Sequence, residues 1–122
     1  MSEKIIYGPL ELPSGKIIKF REATGFDRVN VLSAQQNGGI KNPLVTQVVT
    51  DAYIAVKCIT EIDGEAPQKN YKELYDDFTE SDLDYYDSIR SQLFGLTKEK
   101  QEEIKDKADF LRSNAISTAT SN

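Results

Sequence analysis

The sequence predicts an α+β domain with a small N-terminal antiparallel β-hairpin or sheet, followed by a mostly helical body of four to five helices. Three observations lead there. Two strand-prone runs flank turn chemistry before residue 21, capping signals recur at Thr24, Asn42 and Thr97, and apolar residues return at helical spacing over most of the chain after Gly25. At 122 residues the chain has the size of one ordinary domain. Residues 1–112 read as a single α+β domain and 113–122 as a disordered tail of Ser, Thr, Ala and Asn with one Ile.

In Ile5 to Phe20, Pro13-Ser14-Gly15 separates two runs rich in Ile, Leu and aromatic residues, the pattern of a hairpin. Gly8-Pro9 interrupts the first run, so that strand is either an edge strand or one that starts only at Leu10. Thr24 followed by Asp27 supplies the hydroxyl and carboxylate that together satisfy free amides at a helix start. The first helix is expected from Gly25 to Gln36 with Phe26, Val29 and Leu32 as its buried stripe. The glycines of Asn37 to Lys41 end it in what should be the most mobile internal loop.

Asn42-Pro43 starts a second helix, since Asn caps and Pro tolerates the first helical position. From Leu44 to Ile59 apolar residues cover most of its circumference and leave a narrow polar stripe of Thr46, Gln47, Thr50, Asp51 and Lys57. It is therefore expected to be the central, most buried helix. Ile59 to Ile62 alternates before the tight-turn pair Asp63-Gly64, consistent with a third strand joining the hairpin. Tyr71 to Phe78 reads as a short helix or turn. Ser81 begins a helix with apolar positions Leu83, Tyr86, Ile89 and Leu93 that ends at Gly95. Thr97 caps a charged helix from Lys98 to Arg112 with a thin stripe of Ile104, Ala108 and Leu111.

Composition excludes several chemistries. The chain has no His and one Cys, so it offers no imidazole base, no His-based triad, no HExxH zinc site, no internal disulfide and no thiolate zinc centre. Asp82, Asp84 and Asp87 do not match an EF-hand, because Tyr86 stands where a third oxygen ligand belongs. Ser14-Gly15-Lys16 lacks the upstream glycine of a phosphate loop. Cys58, among Val56 and Ile59, reads as a buried inert thiol. A catalytic site, a cofactor and a metal are accordingly not expected. The start, Met1 to Ile6, has neither a basic leader nor a long apolar run, so the expectations are cytoplasmic residence and no membrane span.

Charge is uneven along the chain. The net charge of -5 resides in residues 71–97, which carry seven acids, two bases and six of the eleven aromatic residues. Acidity disfavours nucleic acid as a partner. Acidic side chains beside aromatic rings can steer and then grip a basic partner. Tyr75, Phe78, Asp82, Asp84, Tyr85 and Tyr86 are therefore the candidate contact residues. The competing reading turns these rings into the core and leaves a solvated acidic face.

The order of Leu12-Pro13-Ser14-Gly15-Lys16, Phe20-Arg21-Glu22-Ala23-Thr24-Gly25-Phe26-Asp27, Lys57-Cys58-Ile59, Ile62-Asp63-Gly64 and Leu93-Phe94-Gly95-Leu96 resembles the small tail assembly chaperones of tailed bacteriophages. Its opening is also similar to that of the baseplate hub assembly proteins of contractile-tailed phages. The first resemblance implies a non-enzymatic protein of the infected host's cytoplasm. Such a protein coats the apolar helices of the tape measure protein, recruits tail tube subunits and is displaced from the finished particle. A frameshifted longer form and a homo-oligomer are left open. Two alternatives follow from the same residues: a structural baseplate or tail component retained in the virion, and an acidic DNA mimic that inhibits a host enzyme.

Overall fold

The computed structural model describes residues 5–37 and 42–115. The elements run β1 (Tyr7–Glu11), β2 (Ile17–Phe20), α1 (Gly25–Asn37), α2 (Pro43–Lys57), β3 (Ile59–Ile62), α3 (Tyr71–Asp77), α4 (Glu80–Phe94) and α5 (Lys98–Ser113). This is an α+β fold with one three-stranded antiparallel sheet in the order β1-β2-β3. The chain divides into two compact units, Met1–Ile89 and Arg90–Asn122.

In the first unit, β2 is the middle strand and alternates as a half-buried strand must. Ile18 and Phe20 are buried, while Ile17 is exposed and Lys19 half-buried. Ile18 stands opposite Leu10 on one side and Ile62 on the other. β1 is an edge strand that begins at Tyr7 and carries an irregular register between Tyr7 and Leu10. Gly8 there adopts φ +127°, and a Cβ at that position would lie 2.8 Å from the Ile18 carbonyl oxygen, so the close approach requires glycine. Asp63 closes the β3 end. Its amide donates to the Ile17 carbonyl at 2.7 Å, and its carboxylate accepts from the Ile17 amide at 3.0 Å.

The core gathers Ile18 and Phe20 from β2, Val31 from α1, Ile54 and Val56 from α2, Cys58, Ile59 from β3, and Leu74, Phe78 and Tyr86 from the later segments. Tyr7 stacks on Phe20 with ring centroids 5.7 Å apart, and Tyr86 meets Phe20 edge-on at 5.2 Å. Cys58 is fully buried.

Two helix faces depart from the amphipathic expectation. In α1 the buried positions are Asp27, Val31 and Gln35, four residues apart, whereas Phe26 is 72 % and Val29 62 % exposed. The ion network at Asp27, described below, turns that face inward and leaves the apolar residues beside it in solvent. In α2 the buried residues are Thr50, Ile54, Ala55 and Val56, all in its C-terminal half. Leu44 at 76 % and Val48 at 70 % are exposed, so α2 is central only where it leads into β3. Its start follows the sequence reading: Asn42 Oδ1 accepts from the amides of Leu44 and Val45.

The second unit holds the C-terminal end of α4 and all of α5. Thr97 caps α5 by accepting from the Lys100 amide at 3.1 Å, and no residue of α5 is buried. Ile104 and Leu111 of its expected stripe are exposed, and Ala108 is half-buried. The helix runs one residue into the segment read as a tail, of which residues 116–122 lie outside the described residues. So do residues 38–41 of the loop expected after α1.

Candidate functional site

Half of the residues singled out from the acidic, aromatic segment serve the fold. Thr79 caps α4 by accepting from the Asp82 amide at 3.1 Å. That places Asp82 in the first turn with its side chain against the hairpin loop. One carboxylate oxygen accepts from the Ser14 amide at 2.9 Å and the other from the Ser14 hydroxyl at 2.5 Å. With only 1 % of its surface exposed, Asp82 ties the Pro13-Ser14-Gly15 turn to α4 and offers no contact to a partner. The Tyr86 hydroxyl donates to the Ala55 carbonyl at 2.7 Å, which satisfies a buried phenol and joins α4 to α2. Phe78 is buried, with the Lys16 ammonium 4.8 Å above its ring. The expectation that Phe78, Asp82 and Tyr86 form an exposed contact region is thus corrected, because burial and these bonds commit them to the core.

Tyr75, Asp84 and Tyr85 remain accessible. The Tyr75 ring stands edge-on to Tyr53 at 5.3 Å. Tyr75 and Asp84, with one side of Tyr86, line a cavity of about 410 Å³ between α2, α3 and α4. Tyr85 does not line it.

Two of these helices supply most of the cavity wall. Val48, Ala52 and Ala55 of α2 contribute an apolar strip, with Asp51 beside it. Their spacing of four and three residues keeps them on one helix face. From α4 come Leu83 and a row of carboxylates, Glu80, Asp84 and Asp87, also spaced four and three. The wall therefore carries four acids and no base. Among the described residues none of these four forms an ion pair. Asp51 appeared in the sequence only as part of a polar stripe, and its approach to the α4 acids depends on the packing of α4 on α2. The Glu80/Asp84/Asp87 spacing, by contrast, was a usable signal.

A different carboxylate carries the densest polar network. Asp27 is 2 % exposed and accepts from both terminal nitrogens of Arg21 at 2.7 and 3.0 Å, from Lys57 Nζ at 2.6 Å and from the Thr24 amide at 2.8 Å. Thr24 Oγ1 accepts in return from the Asp27 amide at 3.4 Å, completing the reciprocal cap at the start of α1. The Arg21 guanidinium, then Lys57 and the Thr24 amide, hold the Asp27 carboxyl far below the usual carboxylate range against the opposing effect of burial. The network ties the end of β2, the start of α1 and the end of α2 together.

Among the described residues no group of three or more His, Cys, Asp or Glu side chains is arranged to hold a metal ion, and no helix is long and apolar enough to cross a membrane. No family model, curated protein or solved structure matches the chain.

Proposed function

We propose that this chain is a tail assembly chaperone of a tailed bacteriophage, acting in the host cytoplasm by holding apolar helices of the tape measure protein and recruiting tail tube subunits. The reading draws on the ordered sequence pattern from Leu12 to Leu96. The observation that carries it is the set of apolar side chains left in solvent on α1 and α2: Phe26, Val29, Leu44, Val45 and Val48. Covering a side chain of this size is worth about 1.5–3 kcal/mol, a gain available to a partner and forgone by the isolated chain. On α2 the exposed Leu44 and Val48 share a face with Ala52 and Ala55, so the exposed surface runs into the acid-lined cavity.

A holdase also has to stay soluble while showing such a face, and a net charge of -5 helps it do so. Co-expression with a candidate tape measure protein tests the reading. The soluble yield of that protein should rise several-fold, and an unchanged yield refutes the chaperone role. Mass spectrometry of purified particles should find the chain missing. Its presence there at stoichiometric level would replace the chaperone reading with that of a retained tail or baseplate component.

A further inference from the structure

We propose that the cavity between α2, α3 and α4 seats one face of a basic amphipathic helix from a partner protein. Apolar residues of that helix pack on Val48, Ala52 and Ala55, and its Lys or Arg side chains meet Glu80, Asp84 and Asp87. The biological partner rests on the chaperone reading, whereas the chemistry of the occupant rests on the cavity itself.

Three features select this occupant. Complementarity of charge comes first, because Asp51, Glu80, Asp84 and Asp87 line the cavity with no base among them and no ion pair among the described residues. Spacing comes second. Glu80, Asp84 and Asp87 occupy successive turns of α4, a row roughly 10 Å long at 1.5 Å per residue. A ligand helix running alongside repeats its own cations at the same interval, so the two rows stay in register over two turns. The floor comes third: Ala52 and Ala55 have short side chains, which admits apolar side chains from a second helix where larger residues would fill the space. Tyr75 adds to the lining a ring that stands edge-on to Tyr53.

The test uses the full chain and two labelled 18-residue helical peptides. Both carry a Leu ridge at four-and-three spacing, flanked in one by Lys and in the other by Glu. Fluorescence anisotropy should show the Lys peptide binding at least tenfold more tightly, with affinity falling as salt rises. Asp84→Asn with Asp87→Asn should weaken it about fivefold or more. Ala52→Leu should weaken it too by filling the floor while every charge remains. Glu11→Gln, which removes an exposed acid outside the cavity, should bind as wild type does. Circular dichroism melts confirm that each variant folds, and Ala52→Leu and the double Asn variant change different properties of the site.

Equal binding of the two peptides overturns the proposal, as does wild-type affinity in both cavity variants. Spermine that competes as well as the Lys peptide would make the cavity a polyamine site instead. Self-association abolished by the same variants would assign it to a second copy of the chain. If co-expression solubilises the tape measure protein equally well with the cavity variants, the cavity assignment fails and the chaperone reading stands. If the Lys peptide binds as expected but co-expression does nothing, the chaperone reading fails and the cavity assignment stands.

Discussion

Replacing Asp27 with Ala removes the acceptor for five hydrogen bonds, donated by the Arg21 guanidinium twice, by Lys57 once and by the amide and hydroxyl of Thr24. Two cations are then left close together beside the core. Breaking a buried ion pair by removing one partner costs about 3–5 kcal/mol, and losing a helix cap adds about 1 kcal/mol. The side chains of Arg21 and Lys57 are 25 % and 21 % exposed, so water can re-solvate them in part. Allowing for that, the expected loss is about 3 kcal/mol. Urea titration followed by far-ultraviolet circular dichroism measures it as a shift in midpoint at unchanged slope.

The pH dependence supplies an independent check. Because the Asp27 pKa is lowered in the folded state, its contribution is complete above the unfolded value of about 3.9 and is lost as pH falls below it toward the folded value. Wild-type stability should therefore decline on acidification more steeply than that of Asp27→Asn, whose side chain does not titrate. A cost below about 1 kcal/mol for Asp27→Ala, the range of an exposed pair, would refute the account of Asp27 as a buried node, as would parallel acid limbs for wild type and Asp27→Asn.

Three further outcomes are expected. Asp82→Ala should cost about 2 kcal/mol by the same titration, because the Ser14 amide loses its charged acceptor; backbone hydrogen exchange at the Pro13-Ser14-Gly15 turn should quicken. Tyr86→Phe should cost about 1 kcal/mol by releasing the Ala55 carbonyl while the ring keeps its contact with Phe20. Leu44→Ser and Val29→Ser should each change stability by less than about 0.5 kcal/mol, yet lower the binding of an apolar dye. A loss of 2 kcal/mol or more would show that these side chains are covered.

Element positions were legible because their signals are local. Thr24, Asn42 and Thr97 each cap a helix through atoms within three residues of themselves. The strands followed from turn residues at Pro13-Ser14-Gly15 and Asp63-Gly64. Side-chain destinations were less legible. Phe26 and Val29 satisfy a helical apolar pattern as well as Val31 does, and their own segment contains nothing that ranks one face over the other. Tyr86 and Asp82 likewise share an acidic, aromatic segment with Asp84 and Tyr85, although the first two are buried and the last two exposed. The partners that separate them, Ala55 and Ser14, lie 31 and 68 residues away.

By itself the sequence determined the α+β class, the helix starts at Thr24, Asn42 and Thr97, the strand-forming segments and the concentration of charge in residues 71–97. All of these depend on neighbours along the chain. By contrast, α4 starts at Glu80 under a Thr79 cap and not at Ser81. Tertiary structure decided which faces are hidden and which acids are free. Asp27 is drawn inward because Lys57, thirty residues on, and Arg21 converge on it. Once that network sets the rotation of α1, the helix can bury Val31 but not Phe26. The acids divide in the same way: Asp82 turns toward a loop that needs an acceptor, while Glu80, Asp84 and Asp87 are left along a cavity lined by no basic residue.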